Sequence, residues 1–124
     1  MARILIVDDD RSIRELLCMH LAVRSHSVVT AADAVEAIPA LLTGQFDLVV
    51  TDVDMPYLNG LELLKAIRGT AQTSHIPVIL LTGHGDDDTW TEALQAGAAG
   101  YLTKPVVSDE LQDVIEKTLR VSMR

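Results

Sequence analysis

The sequence predicts an α/β domain in which five parallel strands alternate with five amphipathic helices. Three observations carry this. Residues 4–7, 48–50 and 78–81 are almost wholly apolar and rich in β-branched side chains, as strands buried on both faces of a parallel sheet must be. Between those runs the apolar positions switch to helical spacing. The 124 residues suffice for one hydrophobic core and are too few for two, so a single domain over 1–124 is expected, with no output domain in this chain.

Each element follows from its own pattern. The first strand, 4–7, is followed by Ile13, Leu16, Leu17 and Leu21 at the spacing of one helix face. Residues 28–30 form a weaker strand candidate, and 34–42 a second helix in which Pro39 costs about 3 kcal/mol by removing a hydrogen bond and crowding the preceding turn. That helix is expected to be kinked or short. The third strand, 48–50, leads to Leu61, Leu64 and Ile67 on a third helix. After the fourth strand, 78–81, a helix over about 86–96 ends at Gly97, a natural left-handed cap. Residues 101–103 give the last strand, and Leu111, Val114, Ile115 and Leu119 the last helix. Strict alternation of this kind implies right-handed crossovers and a sheet covered on both faces. His20, on the stripe of the first helix, is read as a packed or partly exposed side chain without a function.

Composition excludes several roles. Apolar residues at 48% against 23% charged ones place the chain far from disorder. Ten Lys and Arg against eighteen Asp and Glu give a net charge of -8, the wrong sign for neutralising nucleic-acid phosphates or an anionic membrane. Cys18 is the single cysteine, so no intrachain disulfide or Cys-based metal site can form, and a reducing compartment fits. No apolar run approaches a membrane span, and the first residues lack a signal-peptide layout. A soluble, cytoplasmic protein is expected.

The polar residues of interest all follow strands: Asp8, Asp9 and Asp10 after the first, Asp52 and Asp54 after the third, Thr82 at the end of the fourth, Lys104 after the fifth. In an open parallel sheet these carboxyl ends share one edge, and ligands bind where the strand order reverses. Singly, each has a plain structural reading, an Asp as a helix cap or a Lys in solvent. Together they point to one pocket. Crowded carboxylates repel, which raises at least one pKa unless a cation joins them. Mg²⁺ suits such a site, since it takes oxygen ligands and leaves positions open for phosphate oxygens. A carboxylate nucleophile with a divalent metal, a hydroxyl and a lysine fits phosphoryl transfer, with an aspartyl phosphate as product.

Residues 4–10, 52–60, 81–83 and 100–105, reading ILIVDDD, DVDMPYLNG, LTG and GYLTKP, resemble the receiver domains of two-component response regulators in order and spacing. The resemblance implies a doubly wound, flavodoxin-like (βα)5 fold with strand order 2-1-3-4-5, an order that receivers share with flavodoxin. It implies Asp52 as phosphoacceptor, taking a phosphoryl group from a sensor histidine kinase or a histidine phosphotransfer protein. Asp9, Asp52 and the backbone carbonyl of Asp54 would bind Mg²⁺, with Asp8 acting through water. Thr82 and Tyr101 would be the switch pair, Lys104 would hold a phosphoryl oxygen, and the Lys104-Pro105 bond would be cis. Phosphorylation would bias the face made by the fourth helix, fifth strand and fifth helix, which would bind a downstream effector or a second copy of the chain.

Some positions depart from the commonest pattern of that family. Asp54 and His84 stand where residues border the phosphoryl group and tune its hydrolysis, although Asp54 can equally cap a turn. The acids at 86–88 are explained by a helix N-terminus rather than a second metal. Val106 stands where many receivers have Phe. Asp52-Val53-Asp54 also resembles the Asp-x-Asp of haloacid-dehalogenase-like phosphatases, but there the motif lies on an early strand and the acidic pair downstream, the reverse of the order here. A degenerate receiver used only for docking is disfavoured by the intact acidic set. Trp90 reads two ways. Helical spacing aligns it with Ala93, Leu94 and Gly97 and buries it, whereas alignment with receivers turns it outward as an interface anchor and gives Thr91 the inward place.

Overall fold

The computed structural model describes residues 2–55, 58–83 and 87–122, with the side chain of Asp87 also outside the description. Its elements are β1 (Arg3–Val7), α1 (Arg11–Ala22), β2 (Ser27–Ala31), α2 (Ala34–Thr43), β3 (Leu48–Asp52), α3 (Gly60–Gly69), β4 (Val78–Thr82), α4 (Asp87–Gln95), β5 (Gly100–Thr103) and α5 (Ser108–Ser122). All four strand pairs are parallel, and the order is β2-β1-β3-β4-β5. This is the flavodoxin-like arrangement.

The pleat sorts the apolar runs between two cores. Leu5, Val7, Val49, Val78 and Leu80 face α2, α3 and α4 through Ala37, Leu41, Leu63, Leu64, Ile67 and Ala93. Ile4, Ile6, Leu48, Val50, Ile79 and Leu81 face α1 and α5 through Leu17, Leu21, Leu111 and Ile115. Both faces of the three central strands are thus sealed, which explains why their sequences are continuous and not alternating. Leu16 is the exception on the first helix stripe, being 45% exposed where Leu17 is fully buried.

The starts of α1, α2 and α3 are fixed by side-chain caps, each worth about 1 kcal/mol. Asp10 accepts from the Ser12 and Ile13 amides, Asp33 from the Glu36 amide, and Asn59 forms a capping box with Glu62. Pro39 neither ends nor shortens α2, which runs four residues beyond it and equals α3 in length. Pro39 and Val35 both lie on the exposed side, so the Val35 carbonyl that loses its intrahelical donor is on the side open to water. Gly97 takes φ +95°, the left-handed conformation expected after α4. Its carbonyl accepts from the Arg68 guanidinium, which also bonds the carbonyls of Ser74 and Ile76 and so ties α3 to the entry of β4 and the exit of α4. Among the described residues no helix is long and apolar enough to cross a membrane.

Candidate functional site

The order β2-β1-β3 reverses direction between β1 and β3, and there the two acidic segments meet. Val7 pairs with Thr51, so Asp8, one residue on, lies beside Asp52, the last residue of β3. The ladder continues just past the strand ends, with the Asp8 amide donating to the Ala31 carbonyl at 3.1 Å, Val53 to Leu81 at 2.8 Å and Lys104 to Thr82 at 2.7 Å. Sheet bonds therefore hold the backbone that presents the functional side chains. The Lys104-Pro105 bond is cis, as expected.

Lys104 Nζ lies 3.1 Å from Asp8 Oδ2 and 3.3 Å from Asp52 Oδ2. The remaining oxygens take backbone donors: the Asp10 amide donates to Asp8 Oδ1 at 2.9 Å, and the Asp54 amide to Asp52 Oδ1 at 3.2 Å. Asp8 is fully buried and Asp52 nearly so, whereas Asp9 and Asp54 are exposed. Burial pushes the Asp52 carboxyl above its ordinary value, and the charge of Asp8 adds to this; Lys104 and the Asp54 amide oppose it without cancelling it. Burial lowers the Lys104 pKa, but the hydrogen bonds and charges of Asp8 and Asp52 outweigh it and leave the ammonium stabilised. Two buried carboxylates thus share one cation, a net negative pocket under a wet mouth.

Asp8, Asp9 and Asp52 each place a carboxylate oxygen within 4.8 Å of the others. Hard oxygen donors converging with fewer positive charges than negative ones are what a divalent cation such as Mg²⁺ requires. The site also depends on Gly60, at the start of α3. Its amide donates to the Val53 carbonyl at 2.9 Å, and a Cβ there would stand 2.2 Å from the Asp52 carbonyl oxygen. Only glycine lets α3 begin so close to the acidic strand end.

Residues 4–116 match the model of the response regulator receiver domain. The chain belongs to that family. This receiver is 38% identical over 116 residues to chemotaxis protein CheY of Pseudomonas aeruginosa, covering 93% of this chain and 94% of that one. It is 40% identical to the response regulator protein FleR of the same organism, of which it spans 24%. Among solved structures, a response regulator receiver domain protein from Clostridium thermocellum superposes with a TM-score of 0.91 at 34% identity, covering 99% of this chain and 98% of that one. The receiver is a phosphoacceptor module of two-component signalling with an acidic pocket of Asp8, Asp9, Asp52 and Lys104, and not a conventional enzyme. The phosphatase reading of Asp52-Val53-Asp54 is thereby set aside. Membership of the family implies a histidine kinase as partner.

The outer residues of the receiver are less uniform. Thr82 is buried at the end of β4. Tyr101 is half-buried, its ring centroid 5.0 Å from that of Trp90. Trp90 is half-buried too and packs against the core with Ala93, whereas Thr91 is exposed. This corrects the family-based placement: Thr91 does not take the inward position, and Trp90 is neither fully outward nor fully buried. The cause is the burial of Ala93, which fixes the inward face of α4 and leaves Trp90 on its flank. His84 lies outside the described residues. Gly60 was legible only as part of a motif, and its packing role was missed. Arg14, whose Nη1 donates to the Asp8 carbonyl at 2.8 Å, gave no sequence signal, because its partner is a backbone atom.

Proposed function

We propose that Asp52 is the residue phosphorylated, receiving the phosphoryl group from a histidine of a sensor kinase or of a histidine phosphotransfer protein. The observation that carries this is the carboxylate of Asp52 at the floor of the pocket, nearly buried, beside Asp8 and 3.3 Å from Lys104. A carboxylate oxygen of Asp52 attacks phosphorus, the P–O bond forms as the P–N bond to the donor imidazole breaks, and the imidazole departs with the electron pair and takes a proton. Lys104 moves from pairing carboxylates to pairing a phosphoryl oxygen, and the Thr82 hydroxyl donates to another.

Asp9, Asp52 and the backbone carbonyl of Asp54 are the residues that would hold Mg²⁺, with Asp8 acting through water. The ion would supply positive charge to the phosphoryl oxygens. Thr82 and Tyr101 act as the switch pair, and the face of α4, β5 and α5, with Trp90 beside Tyr101, binds a downstream effector protein or a second copy of the chain. The unit acts in the cytoplasm as a single receiver domain over 1–124, away from nucleic acid and membrane, in keeping with its net charge of -8. Asp54 and His84 tune how long the phosphoryl group survives.

Incubation with Mg²⁺ and acetyl phosphate should add one phosphoryl group, labile in base, that peptide mapping assigns to Asp52. Assignment to Asp54 would overturn the proposal. Asp54→Ala and His84→Ala should each change the decay rate of that phosphoprotein by more than twofold, and unchanged decay in both would remove the tuning role. Millimolar Mg²⁺ should raise the thermal midpoint of the wild type, because a ligand of the native state stabilises it by RT ln(1 + [L]/Kd). Asp9→Asn should lose most of that rise in parallel melts.

A further inference from the structure

We propose that Arg14 is a positioning residue for the acidic pocket, holding the carbonyl of Asp8 and so fixing the peptide that aims Asp9. Asp8, Asp9 and Asp10 are consecutive, and two of the three are tied down. The Asp8 amide donates to Ala31, its Oδ1 accepts from the Asp10 amide, and its Oδ2 accepts from Lys104. Asp10 caps α1 through the Ser12 and Ile13 amides. The side chain of Asp9 is exposed and makes no hydrogen bond or ion pair with the described residues, so no side-chain contact holds it, and the backbone alone fixes the Cα–Cβ bond from which its carboxylate swings. That backbone leaves the Asp8–Asp9 peptide plane, which is rigid. The carbonyl of this plane is the atom that Arg14 Nη1 grips at 2.8 Å.

The chemistry of Arg14 suits a brace. Its side chain is half-buried on α1 and makes this one hydrogen bond among the described residues, whereas Arg11, a turn earlier, pairs with Glu15 in solvent. A charge-assisted bond from guanidinium to carbonyl is about twice as strong as a neutral one. The inference rests on Asp9 being a ligand of the bound cation, and it adds the residue that orients that ligand.

Removing Arg14 has two effects of opposite sign. Losing a positive charge beside the pocket favours a divalent cation, so a mere countercharge predicts that Arg14→Met binds Mg²⁺ more tightly. A lost brace predicts weaker binding, by about tenfold, the low end of the range for partners that orient metal ligands. Mg²⁺ titrations of the full chain, followed by amide NMR, separate the two. Arg14→Lys keeps the charge and one donor and should recover part of the loss. In metal-free spectra of Arg14→Met the Asp9 and Asp10 amide signals should shift or broaden while those of Val49 and Val50 stay in place. Binding as tight as wild type or tighter, with the Asp9 signal unmoved, overturns the proposal. Should Arg14→Met fail to fold, Arg14→Lys decides, since affinity equal to wild type there overturns it as well. A wild type that does not respond to Mg²⁺ overturns the metal reading itself, and the proposal with it.

Discussion

Asp52→Asn should abolish phosphorylation by acetyl phosphate and, at neutral pH without divalent cations, make the protein more stable. The two effects have one origin. In the wild type, burial and the charge of Asp8 together outweigh the attraction of Lys104, so the folded protein holds the Asp52 carboxyl above its ordinary pKa. A carboxyl raised in this way binds its proton more tightly folded than unfolded, and its ionised form therefore opposes folding at neutral pH. Asn removes that charge and keeps an oxygen for the Asp54 amide, while Lys104 retains Asp8. The gain should be on the order of 1 kcal/mol, a few degrees in thermal midpoint. As pH falls through the raised value the wild-type carboxyl takes up its proton, so the gap between the two melts should close. A mutant less stable than wild type at neutral pH would contradict this balance, and a phosphorylated mutant would move the acceptor.

Gly60→Ala should be strongly destabilising, by about 3 kcal/mol, at the upper end of what overpacking costs. Propensity alone predicts the opposite, since Gly to Ala inside a helix gains about 1 kcal/mol. Here the added Cβ meets backbone on all sides, the Asp52 carbonyl oxygen at 2.2 Å and the Asp52 carbonyl carbon and Val53 Cα at 2.9 Å. No side chain can swing away. The strain falls on the peptide that carries Asp52, so the fraction that folds should also accept phosphate slowly. Chemical denaturation of the variant checks the first effect, and loss of less than about 1 kcal/mol would show that α3 can shift to make room.

The pocket was legible because topology, not distance along the chain, brings it together. Asp8, Asp52, Thr82 and Lys104 each follow an apolar run, and a parallel sheet delivers such positions to one edge whatever separates them in sequence. The supporting contacts were not legible, for a physical reason. Arg14, Arg68 and Gly60 act on carbonyl oxygens, which every residue carries, so no residue type marks the partner. α4 was ambiguous because its apolar residues, Trp90, Ala93 and Leu94, define two overlapping stripes. Ala93 is buried, Leu94 is 51% exposed and Trp90 is half-buried, so neither reading was right in full: the helical period placed Ala93 inward but not Leu94, and the family alignment wrongly gave Thr91 the inward place. Pro39 did not shorten α2, because the helix face on which it lies is open to solvent.

The contact between Trp90 and Tyr101 gives the molecule an optical property. Trp90 is the single tryptophan of the chain, so indole emission excited at the red edge of absorption comes from one ring on α4. That ring touches Tyr101 on β5 and is half in water, an environment in which quantum yield and emission wavelength respond to small displacements. The protein therefore carries its own fluorophore at the junction of two elements of the face proposed to switch, and a stopped-flow trace of unlabelled protein would read any movement of α4 against β5 in real time.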